Sequence, residues 1–172
     1  MSISSIALRA LTRFVANRRP PDVVIGGEAQ PYMRRWWVIP RNRRFNIYLH
    51  HFLRSDDDRA LHDHPWWNVS WLLSGDYAEV VPLDPNAPAG DTRSIQRTAG
   101  DMAFRKAEAA HRIELWPDGL GGEKPVWTLF ITGPNVRDWG FWCPKGWKHW
   151  KDFTAFRTKG DSNTVGPGCG EP

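Results

Sequence analysis

From Trp36 onward the chain alternates between short apolar segments and clusters of turn-forming residues. The segments are rich in aromatic and β-branched side chains, which favour strands. They cover residues 36–39, 45–53, 66–73, 77–82 and 126–132. Turn sequences such as Ser74-Gly75-Asp76 and Gly133-Pro134-Asn135 separate them. Many short strands with frequent glycine and proline turns predict an all-β sandwich or jelly roll.

The N-terminus has a different pattern. Apolar side chains recur there at three- and four-residue spacing, namely Ile3, Ile6, Ala7, Ala10, Leu11 and Phe14. This spacing predicts one amphipathic helix over residues 3–16, acting as a docking helix or an oligomer contact. Its acid-free, Ser- and Arg-containing composition also fits a transit peptide. The expected organisation is a helix in residues 1–20, a β domain in 21–158 and a flexible tail in 159–172.

Length and composition narrow the class of protein. An ordinary domain has roughly 100–200 residues, so 172 residues predict a single domain. No uninterrupted apolar run approaches the roughly 20 residues that span a membrane, which excludes an integral membrane protein. The two cysteines, Cys143 and Cys169, are too few for a disulfide framework. A reducing, cytoplasmic setting is therefore expected.

Basic residues are concentrated near the N-terminus. Residues 1–44 hold nine arginines and two acids, and such a surface can meet nucleic acid, anionic lipid or an acidic partner. Solvated or internally paired arginines are the simpler interpretation. Arginines interleaved with Trp36 and Trp37 are a combination that can contact single-stranded nucleic acid. Because zinc-finger spacing, a base-reading basic helix and a phosphate loop are all missing, a nucleic-acid partner is not expected.

The most informative polar residues are histidines. His62 and His64 lie two residues apart, so in a strand both imidazoles point to the same face and can take adjacent positions around one metal ion. Trp66, Asn68 and Ser70 have the same parity. A third ligand must come from another segment, and His111 precedes a short alternating stretch.

These residues resemble the two signatures of the cupins. His62-x-His64, followed after three residues by Asn68 and after six more by Gly75, resembles the first signature, in which a glutamate takes the place of Asn68. Gly100, followed after ten residues by His111, has the spacing of the second. Lys106 and Glu108 depart from the proline and glycine usual there. The resemblance covers roughly Phe45 to Thr132.

The resemblance implies a single-domain, cupin-type jelly-roll β-barrel whose metal is held by His62, His64 and His111. Imidazole ligands suit a divalent ion, with Fe(II) favoured here and Zn, Ni, Mn or Cu as alternatives. The three-histidine set resembles that of the thiol dioxygenase branch. The leading hypothesis is a non-haem Fe(II) oxygenase acting on a small organic substrate. A non-redox isomerase or hydrolase, and a non-catalytic ligand-binding or accessory protein, are the alternatives.

Further residues receive roles within that hypothesis. The expected catalytic group is Asn68, bonding to a bound ligand, with Tyr48 as a proton donor and Arg105 pairing with a substrate carboxylate. The expected substrate pocket contains Trp66, Ser70 and Trp127. The acidic segment 54–59 either orients a metal-bound histidine or forms a solvated turn. The partners are then a small-molecule substrate and, by the same resemblance, a second copy in a homodimer.

Overall fold

The structure is a computed structural model that describes residues 2–26, 29–56, 60–154 and 167–170. Helix α1 (Ile3–Leu11) continues into a π-helical turn, Thr12–Ala16, and helix α2 (Trp150–Phe153) follows the last strand. Between them lie β1 (Val23–Ile25), β2 (Met33–Trp37), β3 (Asn46–Phe52), β4 (Leu61–His62), β5 (Asn68–Ser74), β6 (Asp76–Pro82), β7 (Thr92–Thr98), β8 (Met102–Arg105), β9 (Arg112–Leu115), β10 (Val126–Thr132), β11 (Gly140–Cys143) and β12 (Gly146–His149).

The strands form two layers in jelly-roll order. One sheet has the order β1-β2-β3-β10-β5-β8. The other layer consists of β12-β11-β4 and β7-β6-β9, which are joined by an antiparallel bridge between His62 and His111. The consecutive strands β3 to β10 therefore fall into β3-β10-β5-β8 and β4-β9-β6-β7, the connectivity of two Greek keys. The all-β jelly roll with an N-terminal helix is confirmed.

The core between the layers follows from strand alternation. Along β10, Val126, Thr128 and Phe130 are buried, while Trp127 lies on the opposite face. The main apolar cluster joins side chains of both layers, so their inner faces pack together. Its buried members are Met33, Phe52, Leu72, Tyr77, Ile113, Leu115 and Val126.

Helix α1 covers the outer face of the larger sheet. Leu8 and Leu11 pack beside buried Trp36, Leu49 and Leu73. The Ser2 side chain accepts a hydrogen bond from the Ser5 backbone at 3.2 Å, which caps the helix. Ile3, Ile6 and Phe14, which the periodicity placed in the apolar stripe, are instead exposed. The packed stripe is thus narrower than the pattern indicates. Among the described residues, no helix is both long and apolar enough to span a membrane.

The two cysteines form a disulfide that the sequence analysis did not anticipate. Cys143 at the end of β11 is bonded to Cys169, and Cys169 packs beside a cluster that contains Phe141 and Phe153. Lys148 also donates a hydrogen bond to the Gly168 carbonyl at 2.7 Å. Of the predicted tail, only residues 167–170 are described, and these are held against the domain. Disulfides are rare in reducing compartments, so this bond does not support the cytoplasmic location expected from the sequence. That location stays a prediction.

Opening this disulfide is expected to lower the free energy of unfolding. The cross-link closes a loop with a sequence separation of 26 residues. Removing a constraint of that length from the unfolded chain costs about 2–4 kcal/mol. Urea unfolding of the oxidised protein, compared with Cys143→Ser and with the reduced protein, measures this difference. Identical unfolding midpoints in all three samples would contradict it.

Candidate metal centre

Three histidines converge where the two three-stranded sheets of the second layer meet. The backbones of His62 and His111 exchange hydrogen bonds of 2.9 and 3.0 Å, and the His64 N–H bonds to the Ala107 carbonyl at 2.9 Å. The candidate ligand nitrogens all lie within 4.8 Å of one another. The Nε2 atoms of His64 and His111 are 3.0 Å apart. Two imidazoles bound about 2.0–2.1 Å from one ion at roughly right angles have this separation.

Asp63, between His62 and His64, holds this segment through contacts of its own. Its carboxylate is completely buried and accepts hydrogen bonds from the Gly140 backbone at 2.8 Å and the Trp147 indole at 3.0 Å. Arg137 pairs with it at 2.8 Å. These contacts fix the segment to β11 and β12, and with it the direction of both imidazoles. In the sequence, Asp63 could have been recognised as an acid that alternates with the two histidines and so points away from them.

Glu79 on β6 supports the third histidine. Its Oε1 lies 3.3 Å from the Nδ1 of His111, which leaves the Nε2 of that ring for the cluster. Arg105 donates to the same carboxylate at 2.6 Å and Arg97 at 2.8 Å. Burial raises the pKa of Glu79, but the His111 contact and the Arg105 charge outweigh burial and hold the pKa well below its usual range. The sequence analysis did not identify Glu79, because in the sequence it is a single acid within an otherwise apolar strand.

The surroundings of His64 and His111 keep these two imidazoles neutral. Burial, and then the charge of Arg105, lower the pKa of His111 to about 4. Burial, and then the neighbouring His62, lower the pKa of His64 well below its ordinary value. Neutral imidazoles with one nitrogen free are the form that binds metals. The three-histidine cluster can therefore bind a divalent metal ion, and the donor set fits several.

A cavity of about 800 Å³ includes all three histidines in its lining. Trp66 stacks on His64 with ring centroids 4.8 Å apart, and Phe130 lies 6.1 Å from the same ring. Trp139 and Phe141, from the segment 139–150 that holds four of the tryptophans, also line the cavity. Its wall is therefore mainly aromatic, with polar groups at a few defined places. Such pockets suit small organic molecules.

Asn68 and Arg105 bond to each other rather than to the cluster. Both are buried, and Arg105 donates to the Asn68 side-chain oxygen at 3.3 Å. The guanidinium also holds Glu79. Arg105 lines the cavity, but its charge is neutralised there. The structure thus gives this pair a positioning role next to His111, and the catalytic roles expected of them stay untested.

The other expected site residues are divided between the two faces of the larger sheet. Trp66 and Ser70 line the main cavity. Tyr48 instead lines a neighbouring, smaller cavity of about 390 Å³. Trp127 stacks on Trp36 and on His51, with ring centroids 5.7 and 4.0 Å apart, outside the main cavity. The separation of Trp127 follows from strand alternation, which turns it toward helix α1.

One member of the acidic segment does face the cluster. Asp56 Oδ2 lies 4.0 Å from His62 Nδ1, and Asp56 Oδ1 accepts a hydrogen bond from the Tyr32 hydroxyl. Both Tyr32 and Asp56 line the cavity. Residues 57–59 lie outside the described residues. Tyr32 had no motif to mark it in the sequence.

Two residues that line the cavity, Arg35 and His50, are absent from the site residues expected from the sequence. Arg35 on β2 donates through Nε to the Nε2 of His50 at 2.9 Å. His50 and His51 are consecutive in β3 and so lie on opposite faces, and His50 is the one that faces inward. Arg35 was interpreted only as part of a basic surface, because its position opposite His50 depends on the register between β2 and β3.

Comparison with solved structures finds similar chains at low sequence identity. A cupin superfamily protein of Desulfitobacterium hafniense is 16% identical, with 60% of this chain and 78% of that chain covered and a TM-score of 0.44. A Klebsiella pneumoniae protein with a double-stranded β-helix domain is 16% identical, with 69% and 89% covered and a TM-score of 0.47. The DMSP lyase DddQ of Ruegeria pomeroyi is 13% identical, with 80% and 67% covered and a TM-score of 0.49. No protein-family model and no curated protein matches the sequence.

Proposed function

We propose that this protein is a metal-dependent oxygenase that binds Fe(II) through His62, His64 and His111 and acts on a small organic molecule. The supporting observation is a cluster of three imidazoles opening into an aromatic cavity, with no carboxylate of the described residues joining the cluster. Three neutral ligands leave the full charge of the ion and several coordination positions available. Bound Fe(II) supplies open positions and one-electron chemistry for O₂ and substrate.

The chain's own residues perform the remaining tasks. Glu79 holds the His111 ring through Nδ1, and Asp63 holds the segment of His62 and His64 from behind. Trp66 and Phe130 pack against His64 and keep bulk water from one side of the cluster. A dry, preorganised wall favours a reactive step and suppresses side reactions with water.

The proposal is tested by anaerobic reconstitution followed by O₂-uptake measurements. We expect the Fe(II)-loaded protein to consume O₂ with a substrate from a panel of small organic acids and thiols, and the Zn(II)-loaded protein not to consume it. His149→Ala is the matched control, because His149 lies at the end of β12 beside Asp138 and does not line the cavity. Absence of Fe(II)-dependent uptake over the whole panel would overturn the oxygenase assignment.

A second candidate is a non-redox metalloenzyme that moves a proton. The observation favouring it is the pair of Tyr32 and Asp56, in which a phenol bonded to a carboxylate lines the same cavity as His62. Such a pair can take a proton from a substrate and return it. Activity retained with Zn(II), independent of O₂ and lost in Tyr32→Phe, would establish this function in place of the first. If neither chemistry is found, a ligand-binding role is the remaining interpretation.

A further inference from the structure

The cavity contains a guanidinium without a carboxylate partner. The Arg35 side chain makes one hydrogen bond, through Nε to His50, and its Cζ lies 5.2 Å from the centre of the Tyr48 ring. No carboxylate in the described part of the chain lies within 4.0 Å of it. The remaining N–H groups of its fork have no hydrogen-bond partner among the described residues, and Arg35 lines the cavity.

His50 adds a second, independent observation. Its Nε2 accepts the Arg35 hydrogen bond, so in the neutral ring the proton lies on Nδ1. That Nδ1 is buried without a partner among the described residues, and the whole residue is only 2% exposed. A buried donor without an acceptor is costly unless a ligand supplies one. Arg35 and His50 are thus hydrogen-bonded to each other, each keeps a donor without a partner among the described residues, and both residues line the cavity.

This place lies one aromatic ring away from the histidine cluster. The Phe130 ring is 5.0 Å from His50 and 6.1 Å from His64. A molecule held at Arg35 can therefore extend along Phe130 to the cluster. Because Phe130, Phe52 and Trp66 form that stretch of wall, the body of such a molecule is apolar.

The local charge selects the type of anion. Arg105, a buried arginine that also lines the cavity, is neutralised by Glu79. His50 is neutral because burial and then the Arg35 charge lower its pKa well below the ordinary value. The Arg35 end therefore carries a single uncompensated positive charge. A carboxylate matches both that charge and the planar fork of the guanidinium.

We propose that Arg35, with His50 beside it, binds the carboxylate of the substrate, which is a small monocarboxylic acid with an apolar body. The inference specifies the substrate class and in that respect rests on the proposed function. Binding of the carboxylate itself needs only the arginine end of the cavity. It can therefore be measured with or without metal.

The test is calorimetric titration of the full-length protein, as purified and after chelation, with acetate, hexanoate, benzoate and phenylacetate and with benzamide as the uncharged match of benzoate. We expect benzoate to bind at least about 10-fold more tightly than benzamide, and Arg35→Gln to weaken benzoate binding by about 10- to 100-fold. Arg34→Gln is the matched control, because Arg34 is the next residue of β2 and points to the opposite face. Its affinity is expected to equal that of the wild type.

The variant Arg35→Lys controls for a folding defect, because it keeps the positive charge but loses the planar guanidinium. It is expected to bind benzoate with an affinity between those of the wild type and Arg35→Gln. Equal binding of benzoate and benzamide, unchanged affinity in Arg35→Gln, or no carboxylate binding up to about 10 mM would each overturn the inference. Arg35-dependent binding in a protein that takes up no metal would refute the proposed function and leave this inference standing. Metal uptake without carboxylate binding would refute this inference and leave the proposed function standing.

Discussion

Replacing Glu79 with alanine is expected to lower the free energy of unfolding by about 3–5 kcal/mol. The carboxylate is 1% exposed and receives contacts from Arg105, Arg97 and His111. Its removal leaves Arg105, itself 6% exposed, as an uncompensated buried charge. Since domains of this kind are stable by roughly 5–15 kcal/mol, a loss of this size removes a large part of the total.

Glu114→Ala is the control for this experiment. Glu114 lies on the adjacent strand β9, and its 44% exposed side chain pairs with Arg112 at 2.5 Å. An ion pair so accessible to solvent contributes at most about 1 kcal/mol. Urea denaturation of both variants provides the comparison. Equal stabilities of the two would show that the buried network does not hold the fold.

The milder change Glu79→Gln separates the network's effect on the metal from its effect on folding. The amide keeps the shape of the side chain but presents a weaker acceptor to His111. Loss of such an outer partner typically weakens metal binding by about 10- to 100-fold. Titration of the folded variant with Zn(II) against a competing chelator measures the change, and wild-type affinity would mean that Glu79 does not orient the ring.

The general fold and the three histidines could be predicted because both depend on local patterns. Strand alternation predicts His62 and His64 on one face, and the structure brings both imidazoles together although β4 ends at His62. His111 was identified by the resemblance of the Gly100–His111 spacing to the second cupin signature. The two hydrogen bonds between His62 and His111 explain how these distant segments come together. The fold itself is marked by the same short strands and turns.

The supporting residues could not be predicted because they depend on which strands become neighbours. Glu79 is next to His111 only because β6 pairs with β9, and Arg35 is next to His50 only because β2 pairs with β3 in one register. A shift of one residue in either pairing would turn these side chains to the other face. Trp127 was expected in the pocket because its side chain is aromatic. Its position in the alternation of β10 turns it toward helix α1 instead.

Two parts of the site now have separate physical roles. The histidine cluster has neutral donors that suit a cation, and the Arg35 end has a cation that suits a carboxylate. Phe130 separates them by one ring. A substrate that spans this ring would be oriented before any chemical step, and such positioning can account for a large share of an enzyme's rate enhancement.

Single substitutions of His62, His64 or His111 by alanine are expected to abolish measurable metal binding. Removing only an outer partner costs up to about 100-fold in affinity, so loss of a direct ligand from a set of three is expected to cost more than that. Plasma mass spectrometry after loading should find about one metal ion per wild-type chain and per His149→Ala chain, and essentially none in the three ligand variants.

Thermal unfolding checks the same prediction without relying on purification. A metal present at about 100 times its dissociation constant stabilises the folded protein by about 2.7 kcal/mol, which raises the Tm by several degrees. We expect this rise for the wild type and for His149→Ala, and none for the ligand variants. A rise of equal size in all of them would place the metal elsewhere on the chain, because only the cluster combines three imidazoles within 4.8 Å among the described residues.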